Sequence, residues 1–98
     1  MNTSVYRFSF APHVSLSDAE ASLLLAAVAT EGLFGETAVR LDVSYGADPP
    51  RRALIVDGTS AVGAAAVRIF TRLITREFGA GAFTVLRVSA PPSAKAAA

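Results

Sequence analysis

The sequence predicts an α+β fold, a four-stranded antiparallel sheet with two helices packed on one face. Three observations predict it. Four short stretches carry the alternation or apolar density of strands, two long stretches carry helical periodicity, and the signals follow one another as β-α-β-β-α-β. The chain has 98 residues, enough for one core and too few for two domains. Hydrophobic residues make up 52% and charged residues 17%, the composition of a folded chain with apolar surface to spare.

Residues 5–11 place Tyr6, Phe8 and Phe10 on one side and Val5, Arg7 and Ser9 on the other, the period of a half-buried strand. Pro12 stops it. Ser15 or Ser17 then caps a helix over residues 16–33, with Asp18 and Glu20 near the positive end of its dipole and Gly32 and Gly35 closing it. Residues 39–45 alternate again, Val39, Leu41, Val43 and Tyr45 against Arg40, Asp42 and Ser44, and predict a second strand. Residues 46–50, Gly-Ala-Asp-Pro-Pro, read as a turn, and residues 52–56 as a third strand whose four consecutive apolar residues mean that it is covered on both faces or sits centrally. Gly58, Thr59 and Ser60 lead into a helix over residues 61–78, closed by Gly79 and Gly81, and residues 82–88 form the last strand. The domain spans residues 1–89, and a disordered Ala/Pro tail is expected over 90–98.

This order resembles the split βαβ arrangement of ferredoxin-like domains. That resemblance implies outer strands two and four, a central pair of strands one and three, and antiparallel neighbours throughout. It implies nothing about activity, because the fold hosts many unrelated functions.

Composition narrows the chemistry. The absence of cysteine excludes disulfides, thiolate catalysis, Cys-based zinc sites and iron-sulfur clusters, and fits a reducing cytoplasm. The longest apolar run, residues 23–29, is far short of the roughly 20 needed to span a bilayer, and no basic region precedes an apolar stretch at the N-terminus. The expected location is cytoplasmic, with no membrane contact. A net charge of +1 lacks the basic excess of a domain that lives on phosphate contacts, which weighs against nucleic acid. Eight of the nine basic residues are Arg, Lys95 is the exception, and Ala is abundant, a bias of bacteria with GC-rich genomes. No cofactor motif is present, and none is expected to bind.

His13 with Asp57 and Thr59 or Ser60 has the residue types of a base, an orienting acid and a nucleophile. His13 follows strand one and Asp57 follows its antiparallel neighbour, so the predicted topology sets them at opposite ends of the sheet, roughly 15–20 Å apart. A lone His cannot build a His-rich metal site. Gly58, Thr59 and Ser60 at a helix start could hold a phosphate or carboxylate, although plain N-capping explains the same residues. Arg68, Arg72 and Arg76, spaced i, i+4 and i+8, form a ridge that could meet an anionic partner or stand as a solvated helix face. Tyr6, Phe8 and Phe10 resemble the stacking platform of RNA-binding sheets, yet their position opposite Arg7 and Ser9 makes them the inward set.

The most informative feature is apolar surface left over after one core is filled. The first helix can use Leu16, Ala19, Leu23, Ala26, Ala27 and Phe34 against the sheet, which leaves Leu24, Leu25 and Val28 to be covered. On the open sheet face, Arg7, Arg40, Asp42 and Arg87 pointing outward would bring Phe83 and Val85 with them as a mixed floor. Patches of this kind mark interfaces or ligand grooves. The sequence therefore points to a homodimer through the open sheet face, acting as a small non-catalytic interaction or regulatory module. Two alternatives stand beside it: an enzyme or small-anion binder with a cavity at the dimer interface, drawing on His13, Tyr45, Asp57 or an Arg, and a nucleic-acid binder using Arg68, Arg72 and Arg76.

Overall fold

Alternating residues build the first strand, β1 (Val5–Phe10), in a computed structural model that describes residues 4–88. The expected tail over 90–98 lies outside the described residues. The chain continues through α1 (Leu16–Phe34), α2 (Glu36–Asp42), β2 (Ser44–Asp48), β3 (Ala53–Asp57), α3 (Ala61–Phe78) and β4 (Phe83–Val88), with short 3-10 turns at Pro49–Arg51 and Ala80–Ala82. The strands form one antiparallel sheet in the order β2-β3-β1-β4, so β1 and β3 are central as expected. The fold is α+β with three helices, one more than the sequence predicts.

Register decides which side chains meet the helices. Phe8 stands opposite Leu54 on β3 and Val85 on β4, and Tyr6 stands opposite Val56 and Arg87. Directly opposed residues share a face, so Phe8, Leu54 and Val56 look the same way. They are fully buried against Leu23 and Ala26 of α1 and Phe70 and Ile74 of α3. The Phe8 and Phe70 rings meet edge to face at 4.8 Å and 71°, a geometry worth about 0.5–1.5 kcal/mol beyond the area buried. Gly63, Ala66, Phe70 and Ile74 recur at helical spacing on one face of α3 and are buried, and Val67, Leu73 and Phe78 pack partly against the core.

Both long helices carry side-chain caps. Ser15 Oγ accepts the Asp18 N–H at 3.3 Å and Ser60 Oγ accepts the Gly63 N–H at 2.9 Å. Gly35 and Gly79 follow the two helices with φ of 92° and 93°, a region that L side chains rarely adopt. The helices begin at opposite ends of the sheet, because α1 follows β1 and α3 follows its antiparallel neighbour β3. They therefore run antiparallel, and the Ser22 hydroxyl of α1 donates to Glu77 Oε1 of α3 at 2.6 Å.

The stretch expected to be the second strand, 39–45, is instead mostly helix, and the predicted turn over 46–50 contributes to β2. Glu36 lies in the first turn of α2 and Arg40 in the last, each favourable to the helix dipole, and the two pair at 2.9 Å. Val39 alone in α2 is buried. The alternation of apolar residues is thus compatible with a short helix anchored at one point. β2 forms one step later by pairing with β3, from Ser44 opposite Asp57 to Asp48 opposite Ala53.

Candidate interaction surface

The residues expected to make a floor on the open sheet face are not brought together. Phe83, Val85 and Arg87 stand opposite Phe10, Phe8 and Tyr6, which puts them on the helix side. Arg7 stands opposite Ile55 and Leu86 on the other side. Arg40 and Asp42 leave the sheet altogether, since they belong to α2. The physical reason is period: the pairing of β4 with β1 sets Arg7 and Arg87 on opposite faces, and a floor that assumes one face for both fails as a whole. Phe83 packs on the core with ring centroids 6.4 Å from Phe8 and 6.2 Å from Phe10. A charge placed there would lose these ring contacts and cost the fold stability.

The segment before α3 is engaged internally. The Gly58 N–H donates to Ser4 O at 2.7 Å, the Thr59 N–H to Asp57 Oδ1 at 2.9 Å, and Ser60 Oγ accepts from Gly63 while donating to the Asp42 carbonyl at 3.3 Å. Thr59 Oγ1 accepts the Ser4 N–H at 2.9 Å. An anion at Gly58, Thr59 and Ser60 would displace these bonds and face the Asp57 carboxylate, so the N-capping reading accounts for the segment.

His13 is exposed after the β1 end, whereas Asp57 pairs with Val5 at the other end of that strand, which keeps the two apart. A shallow depression of ≈ 240 Å³ is lined by Ser9, Phe10, Ala11, Gly81, Ala82, Phe83 and Thr84 and holds no ionisable side chain. Among the described residues no three His, Asp or Glu side chains cluster as metal ligands, and no helix is long and apolar enough to cross a membrane.

The surplus apolar surface lies on α1. Leu24, Leu25 and Val28, the residues the sequence leaves uncovered, are 49%, 60% and 62% exposed. Leu33 and Phe34 join them at the C-terminal end, against the expectation that Phe34 packs inward. At 100° per residue, Ala21, Leu25, Val28 and Gly32 fall within a narrow band on the side away from Ala19, Leu23 and Ala26, which are buried. An exposed apolar band of this kind on a helix ordinarily marks an interface. The flanks of the band are charged differently. Ser22 marks the flank toward α3, and Glu31, nine residues on, and Glu20, two residues back, fall on the opposite flank.

Beyond the α3 flank stand Arg68, Arg72 and Arg76, exposed on the side of α3 turned away from the sheet. No carboxylate among the described residues lies within ion-pair distance of them. The sequence shows this ridge and the leftover leucines separately. Their neighbourhood depends on the α1 to α3 packing, which the Ser22 to Glu77 hydrogen bond reveals and the sequence pattern does not. No protein-family model matches the chain, and no curated protein or solved structure gives a match either.

Proposed function

We propose that this chain is a ferredoxin-like, non-catalytic interaction module of the cytoplasm that works as a homodimer, with the outer face of α1 as its association surface. The observation that carries this reading is the exposure of Leu25 and Val28 in one band, with Leu24 exposed beside it, on a helix that has no polar outer face over its middle turns. Burying a leucine or valine from such a surface is worth about 1.5–3 kcal/mol for full burial, so a few of them supply a substantial driving force. The strand order β2-β3-β1-β4, with α1 and α3 covering one face, supports the ferredoxin-like assignment, and α2 is then an insertion before β2. The alternative sheet-face dimer has weaker support, because Leu86 is the one strongly exposed large apolar residue on the open face among those described.

The test is the solution mass by multi-angle light scattering, for the native chain and for Leu25→Asp with Val28→Asp. The reading expects a dimer that persists in high salt and a folded monomer for the double variant. A native monomer at all concentrations, or a dimer untouched by the two substitutions, would refute it.

A further inference from the structure

The geometry points to one arrangement of that dimer: two copies of α1 lie parallel about a twofold axis that runs along the helices, with Glu31 and Glu20 of each copy facing Arg68 and Arg76 of the other. This rests on α1 being the self-association face. The observation behind it is charge. α1 has no basic residue and carries Glu20 and Glu31 on the flank away from α3, with Asp18 of its first turn on the flank toward α3, whereas α3 carries Arg68, Arg72 and Arg76 against Glu77. The apolar band thus has an acidic flank on one side and an Arg ridge beyond the other.

A twofold axis in the plane of a face-to-face contact can run along α1 or across it. An axis along the helix exchanges left and right, which sets the acidic flank of one copy over the Arg ridge of the other. An axis across the helix leaves left and right unchanged and sets acid on acid and Arg on Arg. Like charges opposed in this way select against a partner geometry, so the pattern favours the parallel arrangement.

Heights along the helices agree. Ser22 and Glu77 are bonded and therefore level. Glu31 lies nine residues past Ser22, and Arg68 nine residues before Glu77; in antiparallel helices both steps point the same way and cover about 13–14 Å at 1.5 Å per residue. Glu31 and Arg68 are therefore level, and Glu20 and Arg76 differ by only about 4–5 Å on the same count. An axis along the helix preserves height, so each carboxylate meets an Arg of the partner across the band. The band itself has the spacing a two-helix contact needs in either direction: Ala21, Leu25, Val28 and Gly32 recur at four, three and four residues, as in the seam of a coiled coil.

The chain has no cysteine, so single introduced cysteines read the geometry cleanly. Ala21→Cys and Val28→Cys are oxidised separately and together and run on non-reducing gels. In the parallel arrangement each single variant gives a covalent dimer, because each position meets its own copy along the whole seam. In the crosswise arrangement, positions about 10 Å apart along the helix cannot both meet themselves: if one pair is within the 4.4–6.8 Å Cα separation of a disulfide, the other is about 21 Å apart. Cross-linking only in the 21-with-28 mixture, or in one single variant alone, overturns the axis while leaving an α1 dimer standing.

A charge exchange gives the second readout. Glu31→Arg and Arg68→Glu each weaken the dimer about three- to tenfold, both copies of the pair being lost at once, and the two combined in one chain restore it. No restoration overturns the pairing. A native monomer whose salt-sensitive retention of a short DNA duplex is lost in Arg68→Glu overturns both readings and assigns the ridge to nucleic acid.

Discussion

An added Cβ at Gly63 would stand 2.4 Å from the Asp57 carbonyl oxygen, a backbone atom that cannot give way by rotation. Alanine is favoured over glycine inside a helix by about 1 kcal/mol, yet here the close approach of α3 to the end of β3 outweighs that gain. Gly63→Ala is expected to lower the unfolding free energy by about 1–3 kcal/mol in urea titration, and an unchanged or raised midpoint would refute the contact. Arg52 holds the loop between β1 and α1: its Nη2 donates to the carbonyls of Ala11 at 3.1 Å, of Pro12 at 3.3 Å and of Val14. Its backbone sits at φ 51°, a left-handed conformation costing a non-glycine residue about 1–2 kcal/mol. Arg52→Ala keeps that strain and loses the bonds, for about 2 kcal/mol, whereas Arg52→Gly loses the bonds and relieves the strain. Thermal unfolding should therefore rank native above Arg52→Gly above Arg52→Ala, and the reverse order of the two variants would contradict the account. Gly63 falls on the apolar face of the helical pattern over 61–78, whereas the sequence gives Arg52 no role beyond the first residue of a strand, because its partners lie about forty residues away.

Among the elements, α3 is the most legible, its bounds over 61–78 being those the sequence predicts, because a one-sided apolar pattern, a serine cap and a closing glycine all agree. α2 and β2 are the least legible. Val39, Leu41, Val43 and Tyr45 alternate as a strand would, while the Glu36 to Arg40 pair and the dipole favour a helix over Glu36–Asp42, and nothing in the local pattern ranks the two. β2 contains Gly46 and Asp48, poor strand formers that are held by the ladder with β3. Between elements, the Ser22 to Glu77 hydrogen bond ties α1 to α3. Ser22→Ala should cost about 0.5–1.5 kcal/mol, and a double-mutant cycle with Glu77→Ala should show that most of it is the shared bond. Strictly additive losses would mean that the bond contributes nothing to helix docking.

At the scale of the whole molecule, the sequence predicts the strand order and the existence of surplus apolar surface, and it misplaces where that surface is charged. The face of β4 follows from pairing Phe83 with Phe10 and Val85 with Phe8, information held in the register and not in β4 itself. The band on α1 is legible because Leu24, Leu25 and Val28 cannot share a face with Leu23 and Ala26, whatever the tertiary arrangement. An acidic flank and an Arg ridge on either side of this band make self-association the central claim. Light scattering across a concentration series, on the native chain beside Leu25→Asp with Val28→Asp, tests it most directly. The account predicts a native dimer and a variant that is monomeric with an unchanged circular dichroism spectrum. A native chain that stays monomeric at every concentration would contradict it.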